Sequence, residues 1–217
     1  VALALVSASS PAVPPPLGPP TDIPGSKGAS WPAGGWSWAD ARSLCVRNLH
    51  AWAGGAPVGA PYARLPARAA ETVRPPVLAL ANDSAGVAVE FVTDAPVVAL
   101  GHTLLSRATS MWHMAASGAS GLDLWMLDDG GAPGELRWVG TARNISAPPA
   151  RNVNAFGGWA GRAEARRFVA YLPLYNGVAE VRVGVPKGGG HVLVAPRSPA
   201  CARWRLSRES AGAGGGG

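Results

Sequence analysis

A chain of 217 residues is long enough for one ordinary domain with a sizeable core. Its net charge of +6 is almost all arginine, with Lys27 and Lys187 the only lysines. The arginines are scattered and no recognition motif accompanies them, which points to a solvated surface and away from nucleic-acid binding. Two cysteines, Cys45 and Cys201, are too few for a disulfide framework or a cysteine-based zinc site. Two readings stay open for them: they pair with each other, or one is a buried thiol and the other free.

Residues 1–12 begin with the apolar run Val1–Val6 and continue with small residues, as a signal peptide does after losing its start. The run is far too short to span a membrane. With the sequons Asn82-Asp83-Ser84 and Asn144-Ile145-Ser146 it leads to the expectation of a secreted protein. Residues 13–36 are rich in Pro and Gly and read as a disordered linker. From Trp38 to Trp52 two readings remain. Ser37 and Asp40 could form the capping box of a short helix, or Leu44 and Val46 could belong to a first strand, which is preferred. The stretch from Ala63 to Val73 has room for one or two helical turns, and Pro66 limits where they start.

Beyond Pro76 the pattern is one of short strands divided by turn residues. Val87, Val89 and Phe91 alternate with Ala88, Glu90 and Val92, a period of two that turns one face inward. After the turn Asp94-Ala95-Pro96, strands are predicted over 97–105, 122–127, 136–140, 168–172 and 178–185, with 191–195 as a final candidate. Asn176-Gly177 predicts a type I′ hairpin between 168–172 and 178–185, because both residues accept positive φ. Pro173 inside it marks an edge or a bulge. Eight or nine short strands with almost no helical periodicity predict an all-β fold: an antiparallel β-sandwich of jelly-roll type over residues 37–196, with disordered N- and C-terminal tails. Residues 197–217 form the second tail.

Several separated motifs occur in one order: Tyr62-Ala63-Arg64-Leu65-Pro66-Ala67, Ser84-Ala85-Gly86, Phe91-Val92-Thr93-Asp94-Ala95, Gly121-Leu122-Asp123-Leu124-Trp125, Trp138-Val139-Gly140 and Tyr171-Leu172-Pro173-Leu174-Tyr175-Asn176-Gly177. Together they resemble the β-sandwich domain at the N-terminus of two-domain SGNH-type esterases, known for a Gly-x-Asp-Leu-Tyr motif that here ends in Trp125. The resemblance covers roughly residues 40–186 and implies a non-catalytic accessory domain. Its expected partner is an SGNH catalytic domain, and the substrate class would be acyl or acetyl esters, often on carbohydrates. The serine-bearing Gly-Thr-Ser block that opens the family's catalytic domain does not occur in this chain, nor does its distal Asp-x-x-His. A free-standing glycan-binding module is the alternative, with a carbohydrate ligand stacking on some of the nine tryptophans. Trp125 and Trp138 lie in strand patterns and are expected in the core.

No Gly-x-Ser-x-Gly elbow, His-Glu-x-x-His, Walker loop or Rossmann glycine pattern is present, and nothing in the spacing nominates a triad. The four histidines are dispersed, so neither a cofactor nor a metal is expected. The candidates for substrate or domain contact are Trp112, His113, Met114, Asp123, Tyr175 and Asn176. Trp112 and His113 could sit on a glycine-rich loop at the sandwich rim, or Met111 and Met114 could fill the core with His113 partly buried. Asp123, in an apolar strand, either points outward by alternation or is buried against hydrogen-bond donors such as Arg64. Tyr175 and Asn176 serve edge packing and the turn, or a docking surface.

Overall fold

The computed structural model describes residues 21–22, 35–49, 60–127, 135–159 and 165–196. Residues 1–12, most of the linker stretch and the tail 197–217 lie outside them. Among the described residues, eleven strands form two antiparallel sheets: β1 (Thr21–Asp22), β2 (Trp36–Asp40), β3 (Cys45–Arg47), β4 (Ala88–Thr93), β5 (Val97–Leu104), β6 (Asp123–Leu127), β7 (Leu136–Thr141), β8 (Asn152–Gly157), β9 (Arg166–Tyr171), β10 (Val178–Pro186) and β11 (Leu193–Val194). The first sheet runs β1-β8-β5-β10-β2 and the second β11-β4-β9-β6-β7. β3 shares the outer edge of β4 with β11: Cys45–Arg47 pair with residues 88–90, and Leu193–Val194 with 92–93. Buried Cys45 and Ala195 pack together where the two short strands meet, and Cys45 is disulfide-bonded. Cys201, the other cysteine of the chain, lies outside the described residues.

Period-two alternation places the core. Val89 and Phe91 of β4, Val98 and Leu100 of β5, Leu124 and Met126 of β6, Phe168 and Ala170 of β9, and Val181 and Val183 of β10 all belong to one buried cluster. Inward side chains of both sheets therefore share one interior. Phe168 lies at its centre, stacked on Phe91 with ring centroids 5.4 Å apart and against Trp159 at 5.1 Å. The Trp159 indole N–H donates to the Ala95 carbonyl at 2.9 Å, so its polar atom is not buried unpaired. Burial of each such ring stabilises the fold by about 2–3 kcal/mol.

The strand reading of the segment around Leu44 and Val46 holds, and the Ser37–Asp40 capping box does not form because Ser37 is itself in a strand. Trp36–Asp40 is a strand, yet Asp40 also caps a 3-10 turn at Ala41–Ser43 by accepting from the Arg42 N–H, and β3 follows. A second 3-10 turn, Ala67–Glu71, starts directly after Pro66 as that proline requires. Two short helices, α1 (Pro75–Ala81) and α2 (Ala116–Ser120), and strand β8 were not legible in the pattern. α1 and α2 are too short to show a helical period, and β8 turns Asn152 and Asn154 inward with Phe156.

The predicted Asn176-Gly177 hairpin is overturned. β9 lies in the second sheet and β10 in the first, so this connection crosses between sheets, and neither residue has positive φ. Asn176 is fully buried, and its side chain ties loops together instead of forming a turn. Gly177 is required by close approach: a Cβ there would collide with the Asn82 carbonyl and the Leu105 side chain.

Candidate functional site

All six residues singled out in the sequence gather at one end of the two-sheet stack, where Leu104, Asp123, Thr141, Tyr171 and Val178 terminate their strands. Four connections converge there: residues 82–87, 105–122, 142–151 and 172–177. Loops this close to a core need partners for their backbone groups. Inward-pointing polar side chains supply them. The Asn176 amide oxygen accepts from the Ser106 N–H at 3.0 Å. Its nitrogen donates to the carbonyls of Ser106 and Ala108, both at 3.3 Å, and to the Ser120 hydroxyl at 3.1 Å. The Ser84 hydroxyl lies within 3.0 Å of the Pro173 and Asn176 carbonyls. Asn152 and Asn154 on β8 do the same for the loop over residues 143–146: Asn154 accepts from the N–H groups of Arg143 and Asn144 at 2.9 and 2.8 Å, and Asn152 from that of Ser146 at 2.6 Å.

His102 of β5 completes this polar interior. It is fully buried, and neither ring nitrogen makes a hydrogen bond of normal geometry. Burial pushes its pKa down to about 4, opposed by a poorly aligned contact with the Ser120 backbone. The sequence reading missed Ser84, Ser120, His102, Asn152 and Asn154. The alternation Asn152-Val153-Asn154-Ala155-Phe156 was the one available signal, since it puts two amides on the same face as a phenyl ring.

On this scaffold the 105–115 loop projects a tight turn closed by paired backbone hydrogen bonds between Met111 and Met114, at 2.9 and 3.1 Å. Trp112 at its tip is 95% exposed and sits edge-on to the exposed ring of His113, with centroids 4.6 Å apart. The core-filling reading of Met111 fails, because that side chain is exposed; Met114 is half-buried and lies over Gly118. Leu174 and Tyr175, each 49% exposed, emerge from the 172–177 connection beside Leu105. The Tyr175 N–H donates to the Ala119 carbonyl at 2.9 Å, which fastens this loop to α2.

Gly121, Asp123 and Trp125 alternate with the buried core residues Leu122, Leu124 and Met126. Gly121 has no room for a Cβ, which would strike the Ser117 carbonyl of the last turn of α2. Asp123 is half-buried on the outer face and accepts a short hydrogen bond from the Thr141 hydroxyl on β7. Arg64 is not its partner, for its guanidinium bonds the carbonyls of Asp83 and Leu80 at 3.0 and 2.7 Å. Trp125 and Trp138 are cross-strand neighbours on the outer face, with Trp138 half-exposed, which corrects their expected place in the core. A bulge in the β6–β7 pairing next to Trp125 shifts this register.

Gly118, Gly121, Asp123, Trp125, Tyr171 and Leu174 line an open cleft of about 400 Å³ on the second sheet. A larger one, about 820 Å³, lies on the first sheet around Thr103, Arg42 and Glu180. Its charges are already engaged, Arg42 with Asp40 and Arg182 with Glu180, each at 2.7 Å. Among the described residues no three His, Cys, Asp or Glu side chains come together to hold a metal ion, and no helix is long and apolar enough to cross a membrane.

Two antiparallel sheets with a Gly-x-Asp-Leu-aromatic strand at the cleft define an all-β domain. The chain belongs to the GxDLY family, the N-terminus of SGNH hydrolase-type esterases, whose model matches residues 36–190. Among solved structures, a protein from Bacteroides ovatus described as a GDSL-like lipase superposes with a TM-score of 0.59 at 21% identity, over 76% of this chain and 44% of its own. A salicylyl-acyltransferase from a tetracycline biosynthetic pathway aligns at 17% identity and a TM-score of 0.42, over 80% of this chain and 42% of its own. The chain thus spans less than half the length of either. No curated protein matches it.

Proposed function

We propose that this chain is the non-catalytic accessory domain of an SGNH-type esterase, and that its loop end packs against a catalytic domain and helps to position an ester substrate. The observation that carries this reading is the cluster of large apolar side chains presented to solvent at one end: Leu105, Met111, Trp112, Leu174 and Tyr175. A Trp at 95% exposure has no role in the fold of its own domain. The loops that hold these side chains are fastened from below by Asn176, Ser84 and Ser120, so the surface is preformed and loses little entropy on docking. Acyl or acetyl esters are the expected substrate class, by family membership. The repeated crossing of the chain between sheets supports a jelly-roll description, and the disulfide at Cys45 supports a secreted protein.

The test is the transcript beyond the codon for Gly217, followed by work on whatever protein it encodes. An in-frame Gly-Thr-Ser block and a distal Asp-x-x-His are expected. In that protein Trp112→Ala with Tyr175→Ala should expose the interdomain region to limited proteolysis and raise KM for p-nitrophenyl acetate. A stop codon directly after Gly217, with no esterase activity co-purifying from the native source, would sink the reading.

A further inference from the structure

We infer that the cleft over the second sheet is a binding site for a neutral pyranose ring, formed by Trp125, Tyr171 and the carboxylate of Asp123. The family's defining positions converge on it: Gly121, Asp123 and Trp125 all line the cleft, whereas Leu124 between them is buried in the core. Strand alternation alone puts Asp123 and Trp125 on the outer face, and it leaves open why a carboxylate and a large aromatic stand there beside Tyr171. The cross-strand register places Tyr171 directly opposite Asp123. A volume of about 400 Å³ falls within the range of small-ligand sites.

The lining chemistry selects the ligand by elimination. An acyl chain would cover the aromatic and leucine walls, but it would strip water from Asp123 and return no donor beyond the Thr141 hydroxyl already in place. An anion is repelled by the same carboxylate. A small inorganic cation would use the carboxylate and leave the aromatic and leucine walls without a partner, and choline in the titration below stands for an organic one. A pyranose fits all the constraints together. Its C–H face stacks on the Trp125 indole, and a hydroxyl on its edge donates to Asp123, whose other contact with Thr141 holds the carboxylate in position. Leu174 and Gly118 are among the other residues that line the cleft. Leu174 is shared with the exposed apolar cluster, but saccharide binding by this chain does not require that cluster to dock.

The full 217-residue chain is titrated with cellotriose, xylotriose, maltotriose and chitotriose, and in parallel with choline and octanoate, following tryptophan fluorescence and calorimetric heat. At least one trisaccharide is expected to bind with Kd on the order of 1 mM or tighter. Trp125→Ala should abolish that binding, and Asp123→Asn, which preserves shape, should weaken it about tenfold. Val192→Ser at the other end of the stack should leave it unchanged. Trp125→Phe serves in place of the alanine variant if circular dichroism shows that one to be unfolded, and it should weaken binding by severalfold. Absence of binding for all four trisaccharides up to about 10 mM overturns the inference. So does saccharide binding that persists in the Trp125 and Asp123 variants, or a cleft that takes choline or octanoate instead.

Discussion

The two ends of the sheet stack are built on different physics. Away from the loop end, the interior is aromatic and apolar, with Phe91, Phe168, Trp159, Phe156 and Met126 in contact across the sheets or buried beside one another. At the loop end, six of the eight buried polar or charged residues recorded among the described residues lie together: Ser84, His102, Ser120, Asn152, Asn154 and Asn176. The difference follows from what each end must cover. Strands satisfy their own backbone through the ladder, so apolar packing suffices beneath them. Four converging loops cannot, and side chains from the interior must supply the missing donors and acceptors. One end holds by area, the other by geometry. That geometry is what allows Trp112, Leu174 and Tyr175 to stay exposed on loops that do not collapse onto the core.

The comparison is tested most strongly by paired truncations. Phe168→Ala should cost about 4 kcal/mol in chemical denaturation, as a cavity among Phe91 and Trp159. Asn176→Ala should cost about 3 kcal/mol, from the buried groups of Ser106, Ala108 and Ser120 left without partners. The two should also differ in kind. The Asn176 variant should speed amide exchange selectively in residues 105–120, while the Phe168 variant should act globally. Equal, global effects from both would erase the distinction drawn here.

His102 sharpens the contrast through pH. Its pKa in the folded protein is about 4 against an ordinary 6.5, so the unfolded chain binds the proton more readily. The contribution is complete above pH 6.5 and is lost as pH falls from there towards about 4, by about 3 kcal/mol in all. Urea midpoints measured across that window should decline, and His102→Leu should flatten the upper part of the decline, before the carboxylates titrate. An unchanged slope in the variant would show that another group carries it.

The smallest effect is expected at the tip of the loop. Trp112→Ala should change the stability of this chain by less than about 0.5 kcal/mol, because an indole this exposed adds little to folding. A loss above about 2 kcal/mol would place Trp112 in the fold of its own domain.

Much of the strand content was readable in advance because it depends on a local rule. Val89 with Phe91, and Val181 with Val183, alternate at the strand period, and such alternation declares which face is inside before any partner is known. The turn at Asp94–Pro96 and the 3-10 turn after Pro66 follow from backbone chemistry that is equally local. The loop-end residues were nominated by motif, and the structure gathers all six at one end, but the reasons differed residue by residue. Asn176 was taken for a turn former and is a buried hub. Asp123 takes the outward position that alternation offered, but its partner is Thr141 and not Arg64. Trp125 was assigned to the core and lies outside it. Each error concerns a partner distant in sequence.

By itself, then, the sequence determined the antiparallel β character, the inward faces of the main strands and the family to which the chain belongs, since these rest on period, turn chemistry and ordered motifs. Only the tertiary structure decided that 168–172 and 178–185 enter different sheets, that Gly177 is a point of close approach, and that polar side chains hold four loops from within. Those facts depend on which segments meet across tens of residues, and no local preference of Asn, Gly or Trp encodes its distant neighbour.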